Sequence, residues 1–173
     1  MPDLIEGSRP AGRRSYSRRS VTRAAAWSVP AVAVVSAAPA FAASAVDVGA
    51  FALRGSCGAS GIVGPGFLLT AGPTALPVGN TVIITGSGVA DIGTFRATGA
   101  GTATVTYLSG SSRFVTVTTE IPAGETMALR TSLSTATQTF QLNAAASLPE
   151  GYTGTGAKTA AIVSSTTTLC NAT

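Results

Sequence analysis

Histidine is absent from the chain, and lysine occurs only once among its 173 residues, at Lys158. Without histidine there is no Ser-His-Asp or Cys-His catalysis, and the usual catalytic zinc sites are ruled out as well. A Ser-Lys hydrolase would have to use Lys158, but no serine precedes it at the Ser-x-x-Lys spacing. The most common hydrolytic centres are therefore excluded.

Charge is also scarce, at 10% of all residues, and the positive excess lies entirely in the first part of the chain. Residues 1–42 hold six arginines and two carboxylates, a net charge of +4, whereas residues 43–173 hold five cations and five carboxylates. A nucleic-acid surface needs several Lys or Arg side chains on one face. Because residues 43–173 contain no cluster of them along the sequence, we predict that the protein binds no nucleic acid.

The carboxylates of residues 43–173 stand singly, without the DxDxDG pattern of a calcium loop. They are Asp47, Asp91, Glu120, Glu125 and Glu150. A glycosidase could still assemble two of them from distant strands, so a hydrolase stays open as an alternative. The stretch "GYTGTGAKTAA" lacks the GK[ST] ending of a phosphate loop, because Ala157 precedes Lys158. We expect no catalytic residue, no metal and no cofactor.

The first 42 residues have the three parts of a cleavable signal peptide. A basic segment runs to Arg23, an Ala/Val-rich segment runs from Ala24 to about Ala38, and Ala40-Phe41-Ala42 forms a small-residue cleavage site. The apolar segment is shorter than the roughly 20 residues that a membrane-spanning helix needs. We therefore predict cleavage between Ala42 and Ala43, a single mature domain over 43–173, and no transmembrane anchor.

The stretch "SRRSVTR" resembles the twin-arginine translocation motif. Ser17, Arg18, Arg19 and Val21 match the usual pattern, and Arg23 replaces its lysine. The longer stretch "RRSVTRAAAWSVPAVAVVSAAPAFAAS" resembles the signals of small actinobacterial secreted proteins. The resemblance implies export by the twin-arginine route, and the alternative is an ordinary Sec signal that contains two arginines.

The only two cysteines are Cys57 and Cys170. An even number of cysteines in an exported domain predicts a disulfide. Their distance in the sequence excludes a CxxC redox or metal site. Two free thiols are the alternative.

Apolar and polar residues alternate with period two through most of residues 43–173, which is typical of β-strands. "TATVTYL" places Ala103, Val105 and Tyr107 on the inner face, and "TMALRTSLS" places Met127 inward and Arg130 outward. "RFVTVTTE", "FLLT", "TVIIT", "TFQL" and "TAAIV" are further strand candidates, whereas "LNAAASL" could form one helical turn. We predict an all-β fold, an antiparallel β-sandwich of seven to nine strands.

An aliphatic-Pro-x-Gly-x-Thr unit occurs three times, at 76–81, 121–126 and 148–153. Proline and glycine suit a turn that starts a strand, with proline presetting its φ. These turns resemble those of bacterial immunoglobulin-like and adhesin sandwich domains. The resemblance implies an immunoglobulin-like sandwich.

These observations favour a secreted, non-enzymatic module that acts by surface contact or assembly at the cell envelope. Its partners would be cell-wall components or copies of itself, contacted through loops such as "GYTGTGAK" or through an edge strand. The alternative is a wall-polysaccharide-binding module, for which Tyr152 is the candidate contact residue and a coplanar pair of exposed rings would be the sign.

The mature protein should begin at Ala43, because Ala40 and Ala42 are the small residues that flank Phe41. N-terminal sequencing of the protein from culture medium tests this, and a start before Trp27 would contradict it. Replacing Arg18 and Arg19 together by lysine should block export by the twin-arginine route, whereas unchanged secretion would indicate Sec.

Overall fold

The computed structural model describes residues 44–59 and 62–173. Within these ranges the chain forms twelve strands and no helix. In chain order they are β1 Val46–Asp47, β2 Ala52–Ser56, β3 Gly66–Thr70, β4 Thr81–Ser87, β5 Phe95–Gly99, β6 Thr102–Ser109, β7 Ser112–Thr119, β8 Thr126–Thr131, β9 Phe140–Ser147, β10 Tyr152–Thr153, β11 Ala160–Thr166 and β12 Leu169–Ala172. The all-β prediction is confirmed, with more strands than expected.

Ten of the strands form two antiparallel sheets, and β1 pairs with β10 in parallel. The larger sheet has the order β12-β11-β9-β4-β7-β6, and the smaller one has the order β2-β3-β8-β5. The chain passes repeatedly from one sheet to the other, so consecutive strands such as β3 and β4 lie in different sheets. This arrangement confirms the predicted sandwich.

The core lies between the two sheets. It is formed by every second residue of the strands, whose side chains point inward. Phe67 and Leu69 of β3 are completely buried, as are Ile84 of β4 and Leu142 of β9. Each such side chain contributes about 1.5–3 kcal/mol to stability when it is removed from water. The stretch "LNAAASL" belongs to β9 and forms no helical turn, since every second residue from Phe140 onward is buried.

Strand β2 has hydrogen-bonding partners on both edges. It pairs with β3 on one side, and on the other Leu53 N–H donates to Lys158 O (2.7 Å) and Gly55 N–H to Thr173 O (2.6 Å). Lys158 N–H in turn donates to Phe51 O at 2.9 Å. The end of the "GYTGTGAK" segment is therefore part of this pairing and is not the free loop that we expected.

The three Pro-x-Gly units form the predicted turns. In each, a backbone N–H bonds to the proline carbonyl three residues earlier, and the glycine has a positive φ of 88° at Gly79, 75° at Gly124 and 83° at Gly151. Proline thus occupies the first turn position and not the second, and glycine supplies the left-handed third position of a type II turn. Strands β4, β8 and β10 follow directly.

The predicted disulfide between Cys57 and Cys170 is present, with the two Cα atoms 5.9 Å apart. It joins the chain just after β2 to β12 and therefore links the two sheets. Disulfides persist in oxidising compartments, so the bond indicates an extracytoplasmic environment.

The residues on which the export predictions rest lie outside the described ranges. Arg18, Arg19, Ala42 and Ala43 are among these, and the twin-arginine and cleavage predictions stay predictions. Among residues 44–59 and 62–173, no helix is long and apolar enough to span a membrane.

Cys170→Ala should lower the free energy of unfolding by about 2–5 kcal/mol, the usual cost of losing a native disulfide in a small secreted domain. Urea denaturation under non-reducing conditions measures this. Thr167→Ala, at an exposed position nearby, is the control and should change stability by less than about 0.5 kcal/mol. Equal stability of the two variants would contradict the expectation.

Candidate functional site

The two tyrosines of the described residues lie at opposite ends of the sandwich. Tyr107 is next to the β6–β7 turn, whereas Tyr152 follows β9 and pairs with Val46. Both rings are exposed, by 63% for Tyr107 and 38% for Tyr152. They do not form the coplanar pair that a sugar-stacking platform would require.

Tyr107 lies on the predicted inner face of β6, opposite the buried Arg113 in the register, but its ring is exposed and the prediction that it belongs to the core is wrong. Strand β6 is the outermost strand of the larger sheet, and a small cavity of about 150 Å³ separates the tyrosine from Phe95 of the smaller sheet. The ring lies instead against the guanidinium of Arg113, whose Cζ is 4.4 Å from the ring centroid. A cation–π contact on a sheet edge therefore replaces core packing.

Two of the carboxylates, Asp91 and Asp47, are held by neighbouring groups of the protein. Asp91 pairs with Arg113, while Asp47 accepts the N–H groups of Gly49 and Thr155, each at 2.9 Å. The Thr155 side chain, followed by these backbone donors, holds the pKa of Asp47 below its ordinary value. No group of three His, Cys, Asp or Glu residues able to hold a metal occurs in the described part of the chain.

Arg113 is a structural residue. Its side chain is buried, and Nη2 donates to Asp91 Oδ1 and to Gly93 O, each at 2.8 Å. Nη1 donates to the carbonyls of Ser109 and Ser112. These bonds fasten the loop before β5 to the β6–β7 turn, so the guanidinium has little capacity left for a ligand.

The other three arginines of residues 43–173 all project from the outer face of the smaller sheet. Arg54, Arg96 and Arg130 lie on β2, β5 and β8, and each has a buried core residue next to it in its strand. The only ion pair within the described ranges is the one between Arg113 and Asp91. The fold thus assembles a basic cluster, here called the arginine face, where the sequence analysis expected none.

A groove of about 550 Å³ lies on the arginine face beside β5 and β8. Arg96 and Arg130 are direct partners in the β5–β8 register and both line it. We call this feature the arginine groove, and its lining residues are Ile62, Val63, Gly64, Thr94, Arg96, Thr98, Arg130, Thr131 and Ser132. Its walls combine two cations with hydroxyl groups and two exposed aliphatic side chains.

Arg130 is held in place by the neighbouring strands. Its Nη1 donates to Ser56 Oγ at 2.7 Å, and between them lies Gly66, the register partner of both residues. A Cβ atom at Gly66 would lie 1.9 Å from Leu129 O, so only glycine fits there. The Ser56 bond draws the guanidinium towards β2, away from Arg96 on β5. Partial burial lowers the pKa of Arg130.

The outer face of the larger sheet differs from the arginine face of the smaller sheet, because none of its outward residues is charged. One register row runs across five strands as Thr106, Phe114, Ile83, Ala145 and Ala160. Rows of hydroxyl and amide side chains flank it. The residues of this uncharged face include Thr102, Thr104, Thr106, Leu108, Ser112, Phe114, Thr116, Thr118, Thr81, Ile83, Thr85, Gln141, Asn143, Ala145, Ser147, Ala160, Ile162, Ser164 and Thr166.

The chain matches no known protein family, no curated protein and no solved structure. The functional interpretation therefore depends on the geometry of the protein alone. Two surfaces stand out on the described residues, the arginine groove on the smaller sheet and the uncharged face on the larger one. Neither surface is predictable from the sequence, because each is formed by strands that are distant in the chain.

Arg113→Met should lower the free energy of unfolding by about 1–3 kcal/mol, since it removes the hydrogen bonds of a buried guanidinium to Asp91 and to three backbone carbonyl groups. Chemical denaturation of both proteins measures the change. Arg54→Met removes the same charge from an exposed position and should have an effect below about 0.5 kcal/mol. An equally small effect at Arg113 would show that its bonds are not structural.

Proposed function

We propose that this protein is a secreted, non-enzymatic module that acts by surface contact at the cell envelope, and that its copies associate through the uncharged face. The observation that carries the proposal is the absence of any charged side chain on the outward side of a six-stranded sheet. The twin-arginine-like signal and the resemblance to immunoglobulin-like adhesin domains support the envelope as the place of action.

Desolvation explains why such a face favours association. Burying a charged side chain is costly unless it is paired, whereas threonine and alanine lose little on contact. Ile83 and Ile162 are each 43% exposed on this face, so a partner would remove apolar surface from water. Strands lie about 4.8 Å apart, so six of them span roughly 24 Å, enough for a second sheet to stack against the first.

A second copy of the chain is the preferred partner for the uncharged face because residues 43–173 have no net charge. Residues 43–173 have five cations and five carboxylates, and a net charge near zero gives little repulsion between copies. The three arginines of the smaller sheet point away from the uncharged face. Two copies that meet through their larger sheets would therefore keep these charges apart and in water.

Ile83→Lys should weaken self-association at least tenfold, because it places an unpaired ammonium in the centre of the uncharged face. Analytical ultracentrifugation of residues 43–173 over a concentration series measures the dissociation constant. Val78→Lys is the matched control: Val78 is 55% exposed in a turn outside the sheet, and its replacement should leave association unchanged. Circular dichroism of both variants verifies the fold.

A wild-type protein that is monomeric at all accessible concentrations would contradict the proposal. Sedimentation of that monomer with purified wall polysaccharide would then favour the polysaccharide-binding alternative. Turnover of a wall substrate, lost when one of the five carboxylates is replaced, would show that the protein is a hydrolase.

A further inference from the structure

We propose that the arginine groove binds an organic anion, with a carboxylate or phosphate group held between Arg96 and Arg130 and an apolar part resting on Ile62 and Val63. This site lies on the smaller sheet and does not depend on the association proposed for the larger one.

The positive charges that line the groove favour the binding of an anion. Arg96 and Arg130 are direct cross-strand partners on one face and both line the groove, so two positive charges face the same cavity. No carboxylate lines the groove, and of the acidic residues in the described ranges only Asp91 is in an ion pair, with Arg113. An oxyanion placed between the two guanidinium groups would accept charge-assisted hydrogen bonds from both sides.

Arg130 is already positioned for this role. The hydrogen bonds of Arg130 to Ser56 Oγ and to Gly64 O are both donated by Nη1. A guanidinium has five N–H donors in a planar fork that suits carboxylate and phosphate oxygens. A side chain that is fixed before binding loses less entropy when the ligand arrives.

The size and the remaining walls of the groove indicate more than an inorganic ion. Its volume of about 550 Å³ lies within the roughly 300–1,000 Å³ of organic ligand sites. Ile62 is 87% exposed and Val63 is 40% exposed at its rim, so an apolar group would find surface to cover. Thr98 adds a hydroxyl that can bond to polar atoms of the ligand.

Isothermal titration of residues 43–173 with phenyl phosphate and benzoate tests the site. We expect saturable binding of at least one of them, weakened at least tenfold by Arg96→Gln and by Arg130→Gln. The matched control is Arg54→Gln, which removes the same charge from the same face outside the groove and should bind as the wild type does. Preference for phenyl phosphate would identify a phosphate ligand, and preference for benzoate a carboxylate ligand.

Two further titrations separate the charged and apolar contributions. Ile62→Ser should weaken binding of the aromatic anions without changing that of inorganic phosphate, and phenol should bind far more weakly than phenyl phosphate. The association variant Ile83→Lys should bind the anions normally, which keeps this proposal distinguishable from the preceding one. Absence of binding by both aromatic anions, or an equal loss in Arg54→Gln, would overturn the anion site, and equal affinity for inorganic and phenyl phosphate would overturn its apolar part.

Discussion

The position of β2 is the constraint on which most of this structure depends. This strand bonds to β3 along one edge and to Lys158 and Thr173 along the other, so it joins the smaller sheet to the strands that end the larger one. The disulfide at Cys57 fixes the chain just after it. The same strand supplies Ser56, which holds Arg130. Closure of the sandwich and the shape of the arginine groove therefore have a common origin.

The second organising feature is the separation of charge between the two outer faces. Alternation puts every second residue of a strand outside, and the identity of these residues differs between the sheets. The smaller sheet carries Arg54, Arg96 and Arg130, whereas the larger one carries threonine, serine and small apolar residues. A molecule with one basic face and one uncharged face can hold a ligand and a neighbouring copy at the same time.

Local alternation accounts for what the sequence predicted correctly. Seven strands, among them β4 and β7, were predicted from their regular apolar positions. The disulfide was predicted from the even number of cysteines. Strands β2, β5 and β12 were missed because glycine, arginine or cysteine interrupts their pattern. The exposure of Tyr107 depends on β6 being an edge strand, and the pairing of Arg96 with Arg130 depends on register. Neither the exposure of Tyr107 nor the pairing of the two arginines can be predicted from one segment of the sequence.

The long separation between β2 and its second set of partners also has a kinetic consequence. Leu53 bonds to Lys158, and the disulfide spans 113 positions, so the sandwich closes only when distant parts of the chain meet. Folds dominated by such non-local pairing fold slowly, in milliseconds to seconds. During that time the strands of the larger sheet are exposed with no charged residue on their outward side to keep neighbouring chains apart. Partly folded chains at high concentration are therefore at risk of aggregating, and dilution or a chaperone should increase the yield of folded protein.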